Sequence, residues 1–201
     1  MTKWKLIINL IEYQLNSAGG ESINTNGIAG MNAVAEIETD FHFRKPTKHD
    51  GSVVWQLIKN TKVLDLNSSY SYLMWCEIFS DTSIVAERNG EIVGFISGFF
   101  HPNTTDKLFI WQVAVNESER GKGLATKMLY QLLNRTACGT VQYIEATVSP
   151  SNKPSQSLFK GLAKKLETDC NISDYFLSED FPAEGHEDEL LFKIGPIKNK
   201  R

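Results

Sequence analysis

The hexapeptide from Arg120 to Ala125, RGKGLA, has the composition of an anion-binding turn. It stands between an apolar run at 108–115 and an amphipathic pattern that includes Met128 and Leu132. Glycines let the backbone N–H groups at a helix start approach an anion, and the helix dipole favours negative charge there. The turn therefore predicts a pyrophosphate site. A plain strand-to-helix turn is the alternative, because neither GxxxxGKS/T nor a complete GxGxxG is present.

Four residues separate Val113-Ala114-Val115 from Arg120-x-x-Gly123-x-Ala125, and Asn152-x-x-Ser155 opens the next helix, followed by Phe159. These two motifs resemble the acetyl-CoA motifs of the GNAT superfamily of N-acetyltransferases. The resemblance implies that acetyl-CoA is the cosubstrate, that the strand pairs with its pantetheine arm, and that the turn holds its pyrophosphate. It also implies that Asn152 hydrogen-bonds the arm. The implied cofactor site consists of Val113, Ala114, Val115, Arg120, Gly121, Lys122, Gly123, Leu124, Ala125, Asn152, Ser155 and Phe159.

Phe159 departs from the pattern of that superfamily. Many GNAT enzymes have a tyrosine at this place, whose hydroxyl protonates the leaving thiolate. A phenylalanine has no proton to donate, so another group or water must protonate the thiolate.

Several further segments have a distinctive composition: FRKP (43–46), LDLNSSYSY (64–72), FIWQVAV (109–115), TVSP (147–150) and the stretch from SDYF (173–176) to GHEDE (185–189). They resemble segments of the diaminobutyrate acetyltransferases of ectoine biosynthesis, and this narrower resemblance covers roughly residues 41–196. It implies acetyl transfer to the 4-amino group of L-2,4-diaminobutyrate by a cytoplasmic homodimer, in compatible-solute synthesis under osmotic stress. Transfer would be direct, in a ternary complex. A GNAT enzyme for another amine and a non-catalytic acyl-CoA sensor are the alternatives.

The implied diamine carries two ammonium groups, so its site needs acidic and hydrogen-bonding side chains. We expect Asp65, Tyr70, Trp111, His186 and Glu189 to converge on it. Trp111 is expected to share one face of its strand with the residues two before and two after it, and to contact a cation through its ring. For each residue a plain structural role is the alternative: a turn, packing, a core tryptophan or a solvated charge run.

The amine must lose a proton before it attacks the thioester, because an alkylammonium has a pKa near 10. Glu189 is the first candidate for the proton acceptor, and Tyr70 or a water relay is the second. A backbone N–H of the strand at 113–115 would stabilise the oxyanion of the tetrahedral intermediate.

The composition of the chain limits which partners we expect it to bind and in which compartment we expect it to work. The net charge of −3 over 201 residues gives no electrostatic footprint for nucleic acid. Cys76, Cys138 and Cys170 form no CxxC pair, which indicates reduced thiols in the cytoplasm. No stretch approaches the roughly 18 apolar residues of a membrane span. Because His186 stands alone among acidic residues, and direct transfer needs no Lewis acid, no metal is expected.

The elements that must position these residues follow from periodicity. Residues 13–40 are rich in Asn, Ser, Gly and Ala, so we expect 1–40 to be a flexible leader, with Met31 as an alternative start, and 197–201 to be a tail. Between them, 41–196 predicts one α+β domain with a GNAT-type mixed, mostly antiparallel sheet flanked by helices on both faces. We expect strands at 41–44, 83–88, 91–99, 108–115, 143–148 and 190–194, with a hairpin at Asn89-Gly90, and helices after Asp50, Ser68, Gly123 and Lys153.

Overall fold

A computed structural model describes residues 41–182 and 185–198 of the chain. The predicted leader lies outside these residues, as does most of the predicted tail. Ile197, expected in the tail, instead donates its N–H to the carbonyl of Gln142 at 2.8 Å and packs on the core.

A single mixed sheet organises the described residues, in the order β1-β2-β3-β4-β5-β7-β6. All neighbouring pairs are antiparallel except β4 and β5, which are parallel. The strands are β1 (His42–Arg44), β2 (Ile84–Arg88), β3 (Glu91–Phe100), β4 (Lys107–Val115), β5 (Tyr143–Val148), β6 (Cys170–Phe176) and β7 (Glu189–Ile194).

Helices cover both faces of this sheet, because alternate strand residues point to opposite sides. The helices are α1 (Gly51–Thr61), α2 (Ser69–Glu77), α3 (Leu124–Leu133) and α4 (Lys153–Lys165). On β2, Ile84 and Ala86 pack with α3 and α4 in one cluster, while Val85 packs with α1 and α2 in another. The predicted α+β fold, a mostly antiparallel sheet with helices on both faces, is confirmed.

Strand β6 is absent from the sequence prediction. It lies at the sheet edge, pairs only with β7, and has six exposed residues out of seven. An edge strand without a buried face has no reason to alternate apolar and polar residues, so periodicity does not reveal it.

A β-bulge interrupts the pairing of β3 with β4, because Ser97 pairs with Gln112 and Gly98 with Ile110. The extra residue, Trp111, changes which face the following residues point to. Trp111 packs on Trp75 of α2, whereas Val113 packs with the cluster of α3 and α4. The prediction that Trp111 and Val113 share one face is therefore wrong.

None of the helices in the described part of the chain is long and apolar enough to cross a membrane.

Candidate active site

A cleft opens where the two parallel strands separate. β4 and β5 pair only through Lys107–Phe109 and Tyr143–Glu145, and the pairing stops beyond them. A cavity of about 810 Å³ fills the gap, with walls from both strands, the loop between α1 and α2, and the segment before β7. Parallel strands end at one sheet edge, so α3 and α4 both begin beside the open end of this cleft.

The backbone of β4 presents alternate N–H groups to this cleft. The N–H groups of Gln112 and Asn116 bond toward β3, to Ser97 Oγ at 3.2 Å and to the Val93 carbonyl at 2.8 Å. Because strand N–H groups alternate in direction, those of Val113 and Val115 point away from β3. Ala114, the third predicted residue of this segment, is buried against α1 and α2. Its side chain does not line the cleft.

The predicted phosphate turn has the geometry of an anion-binding helix start. Gly121 and Gly123 have φ values of +76° and +74°, and Gly123 is the N-cap of α3. The first helical bond runs from Lys127 N to Gly123 O, so the N–H groups of Leu124 and Ala125 have no partner within the helix. None of the turn residues 120–125 lines the cavity.

Charged side chains hold this turn in place. Arg120 Nε donates to the carbonyl of Val115 at 3.2 Å. Lys122 Nζ lies 3.2 Å from Glu119, whose other oxygen accepts from Arg88 at 2.7 Å. Two cations therefore sit beside the helix start, where a pyrophosphate would need them.

Helix α4 supplies the second predicted set of cofactor residues, all of which line the cleft. Asn152 caps the helix, its Oδ1 accepting from Ser155 N at 3.1 Å, which leaves the amide NH₂ as the remaining donor. Phe159 is 3% exposed and packs against Phe192. Its ring lines the cleft without a polar atom, so the structure offers no proton donor at this place.

Four of the five predicted acceptor residues line the same cleft: Asp65, Trp111, His186 and Glu189. Asp65 comes from the loop between α1 and α2, and Trp111 from the bulge of β4. His186 belongs to the segment before β7, and Glu189 is the first residue of β7 itself. Trp111 is 39% exposed, and one side of its ring packs on Trp75 at 4.9 Å.

Tyr70 lies elsewhere. It is 68% exposed and lines a separate groove of about 460 Å³ with residues of α2. Tyr72 instead points inward, because residues two apart on a helix lie on nearly opposite sides, and α2 buries the side that carries Tyr72 and Cys76. The prediction that Tyr70 joins Asp65 in the cleft does not agree with this placement.

The environment of Glu189 makes its carboxyl group a weaker acid. Burial raises its pKa above the ordinary value, and the negative charges of Asp65 and Glu187 act in the same direction. A hydrogen bond from Thr147 and the nearby His186 oppose the rise. A carboxylate with a raised pKa is a stronger proton acceptor.

His186 is held in one orientation by two contacts. Its ring stacks on Phe181 with centroids 3.6 Å apart, and its Nδ1 lies 2.7 Å from the carbonyl of Glu187. A carbonyl only accepts hydrogen bonds, so Nδ1 carries a proton. In the neutral ring, Nε2 is then the acceptor.

Sequence reasoning missed Gln112, which lines the cleft, and the buried Tyr72, whose hydroxyl donates to the Gln112 side chain. Gln112 did carry a signal, because it is a polar residue inside an apolar strand, and such residues need a buried partner. Aromatic side chains were also missed: Trp75, Phe99, Phe109, Tyr175, Phe176 and Phe181 line the cleft.

Across residues 41–182 and 185–198, no group of three or more His, Cys, Asp or Glu side chains is arranged to hold a metal ion.

Comparison with known proteins gives consistent matches. The model of the acetyltransferase (GNAT) family matches residues 52–163. L-2,4-diaminobutyric acid acetyltransferase of Virgibacillus pantothenticus is 66% identical over 153 residues, 76% of this chain and 96% of that protein. The enzyme of the same name from Oceanobacillus iheyensis is 59% identical over 174 residues, 83% of this chain and 96% of that protein.

A solved structure matches as well. It is diaminobutyrate acetyltransferase EctA of Paenibacillus lautus, in complex with its substrate L-2,4-diaminobutyric acid and coenzyme A. The identity is 46%, the TM-score is 0.77, and the match covers 81% of this chain and 99% of that one.

Proposed function

Because the chain belongs to the acetyltransferase (GNAT) family and, within it, to the L-2,4-diaminobutyric acid acetyltransferases, we propose that it transfers acetyl from acetyl-CoA to the 4-amino group of L-2,4-diaminobutyrate. The predictions of the family, of the GNAT-type fold and of acetyl-CoA as cosubstrate are thereby confirmed.

One observation carries the choice of acceptor. Asp65 and Glu189 line the cleft from two elements, the loop between α1 and α2 and the start of β7. They lie near enough for the charge of Asp65 to raise the pKa of Glu189. Trp111 walls the space beside them. Two carboxylates and an aromatic face suit a substrate with two ammonium groups.

The proposed transfer begins with the loss of a proton from the acceptor ammonium group to Glu189, directly or through water. The neutral amine attacks the thioester carbonyl, forming the new C–N bond and an oxyanion. In this proposal the Val113 N–H, which points away from β3, stabilises that oxyanion. The intermediate collapses as the C–S bond breaks, the attacking nitrogen gives its second proton to water, and the coenzyme A thiolate leaves.

Protonation of the leaving thiolate requires a group other than Phe159. His186 is one candidate when doubly protonated, since its Nε2 is not used in the contact with Glu187. Water is the other. The cysteines take no part in the proposed direct transfer, since burial raises the pKa of Cys76 to about 12 and that of Cys138 to about 11. Neither of these two, nor Cys170, lines the cleft.

The decisive experiment is incubation with acetyl-CoA and L-2,4-diaminobutyrate, followed by NMR of the product. We expect N4-acetyl-L-2,4-diaminobutyrate and free coenzyme A in equal amounts. A panel of other amines, including polyamines, is the control. Acetylation at the 2-amino group would contradict the regiochemistry, while faster turnover of another amine, or binding of acetyl-CoA without turnover, would contradict the assigned function.

We also propose that the enzyme is a cytoplasmic homodimer that contributes to compatible-solute synthesis under osmotic stress. An apolar groove supports the dimer, since Tyr70, Leu73 and Ile78 are exposed around it on and just after α2. The three unpaired cysteines support a reducing compartment.

A further inference from the structure

The loop that carries Asp65, residues 62–68, has little apolar anchoring of its own. Val63 is 77% exposed, and Asp65 and Leu66 are exposed as well. Leu64 is the residue of this loop that packs on a core cluster. Such a loop needs other contacts to hold a carboxylate in one direction, because ordering a chain segment costs conformational entropy.

Gln112 supplies one of those contacts. Gln112 is only 5% exposed, and its side-chain Nε2 donates to the backbone carbonyl of Asp65 at 2.8 Å. Its Oε1 accepts from the hydroxyl of Tyr72 at 3.3 Å. Both ends of the amide are therefore engaged with the layer formed by α1, α2 and their connection.

Tyr72 extends the contact to the other end of the loop. Its hydroxyl group accepts from the backbone N–H of Asn67 at 3.3 Å. The strand side chain, the tyrosine and two backbone groups of the loop thus form one chain of hydrogen bonds, buried between Tyr72 and Gln112 and part-buried at the loop. We call it the Gln112–Tyr72 bracket. It crosses 40 residues of sequence between Tyr72 and Gln112.

The β-bulge explains how β4 can both hold the loop and wall the cleft. In a regular strand two consecutive residues point to opposite faces. The extra residue opposite Ser97 and Gly98 breaks that alternation, so Trp111 and Gln112 point to the same face of the sheet. Trp111 contacts Trp75 of α2, and Gln112 contacts Tyr72 of α2 and the carbonyl of Asp65. A side chain at Gly98 would lie 2.9 Å from the carbonyl oxygen of Phe109, so the bulge requires glycine there.

We infer that Gln112 and Tyr72 are positioning residues, which fix the loop so that the Asp65 carboxylate faces the acceptor amine opposite Glu189. The inference rests on the proposed function, because it assigns Asp65 to the diamine. Neither residue is assigned a step in the proposed transfer. They hold the Asp65 carboxylate in one direction before the substrate binds, which reduces the conformational entropy lost on binding.

Kinetics of Gln112→Met test this inference, since methionine keeps the length of the side chain and removes both hydrogen bonds. We expect the KM for the diamine to rise about tenfold and the KM for acetyl-CoA to stay within about twofold. Tyr72→Phe is the milder variant, with a smaller rise in the same direction. Thr61→Val is the matched control, because it removes a buried hydrogen bond at the end of α1, to the Ile58 carbonyl, without touching the bracket.

The Asp65→Asn background separates positioning from general damage. If Gln112 acts through Asp65, then Gln112→Met should raise the diamine KM little further once the carboxylate is gone. Equal rises in the KM of both substrates, or full additivity of the two substitutions, would overturn the inference.

Amide hydrogen exchange gives a readout that does not depend on turnover. In Tyr72→Phe the Asn67 N–H loses its acceptor, so it should exchange faster than in the unaltered protein while the amides of β3 and β4 keep their protection. Unchanged exchange at Asn67 would contradict the bracket even in an active enzyme. Faster exchange in a protein that does not acetylate the diamine would leave the bracket standing and count against the proposed function instead.

Discussion

At the scale of the residue, the chemistry depends on how the fold changes the acidity of single groups. An exposed glutamate is a weak base at neutral pH, and Glu189 differs because burial and the charge of Asp65 raise its pKa. The same surroundings destabilise the charged form in the folded protein. We therefore expect the ionised Glu189 carboxylate, which is the form that accepts the proton, to lower the free energy of unfolding.

Glu189→Gln tests the kinetic side of this argument, because glutamine keeps the shape and removes the basicity. We expect kcat to fall by about 10²- to 10⁴-fold, with a smaller change in the diamine KM. In the unaltered enzyme kcat/KM should decline as the pH falls through the raised pKa, and the variant should lose that limb. A rise in KM alone, measured by steady-state kinetics, would instead assign Glu189 to ammonium binding.

The same substitution has an expected effect on stability. A carboxyl group whose folded-state pKa is raised contributes stability below its unfolded pKa, and this contribution is lost as the pH rises through the folded value. At neutral pH the Glu189 carboxylate thus opposes folding. Thermal melts should show a higher Tm for Glu189→Gln at pH 7 and a smaller difference near pH 4. A lower Tm at pH 7 would show that glutamate makes contacts that glutamine cannot replace.

At the scale of the element, helix starts and turns prepare the site for the cofactor. The turn at Arg120–Gly123 places glycines at two positive-φ positions and two cations beside the start of α3. These glycines and cations all belong to the turn or lie next to it. A substitution in the turn should therefore change the affinity for the cofactor without changing the acceptor side of the cleft.

Gly123→Asp should raise the Kd for acetyl-CoA at least tenfold, about 1.4 kcal/mol, because it puts a carboxylate where the pyrophosphate would bind. Gly90→Asp is a matched control. Gly90 also has a positive φ, +79° against +74°, and neither glycine has an atom within 4 Å of an added Cβ. Titration calorimetry on both folded variants checks the prediction, and equal affinities would contradict a phosphate role for the turn.

A cluster of ion pairs centred on Arg44 joins β1, β2 and the turn before α1. The Arg44 guanidinium donates to Asp50 at 2.7 and 2.9 Å and, through Nε, to Glu87 at 2.9 Å. These hydrogen bonds hold the pKa values of Asp50 and Glu87 below their ordinary range. With lowered folded-state values, the contribution of both carboxylates to stability is present above pH 4 and lost as the pH falls further.

Arg44→Met should therefore destabilise the protein by about 1–3 kcal/mol at pH 7, because two part-buried carboxylates lose their donor. The loss should shrink as the pH is lowered and the carboxyl groups become neutral. Urea unfolding at several pH values measures it. A pH-independent loss would show that the aliphatic part of the side chain, and not its charge, stabilises this corner.

At the scale of the whole molecule, the open question is the assembly. The apolar groove around Leu73 and Ile78 lies apart from the cleft, and a second copy of the chain is the occupant we propose for it. Light scattering at micromolar concentration should give twice the mass of one chain. Leu73→Glu with Ile78→Glu should give a monomer, while Ile172→Glu on the exposed edge strand β6 should not. A monomeric unaltered protein would remove the proposal.

What the sequence determined by itself was local. The glycine turn, the Asn89-Gly90 hairpin, the apolar strand before the turn and the loss of a hydroxyl at Phe159 each depend on a few neighbouring residues. Their conformational and chemical requirements can therefore be read from residue types and spacing. The same holds for the similarity to a family, which such local segments carry.

Other features were decided only in the tertiary structure, because they depend on pairs of residues far apart in the chain. The bulge that places Trp111 and Gln112 is defined by pairing with β3, and the inward turn of Tyr72 rather than Tyr70 by what α2 buries. The raised pKa of Glu189 comes first from burial, and the charge of Asp65, more than a hundred residues away, adds to it. No local pattern encodes desolvation or register, since both arise when distant segments exclude water together.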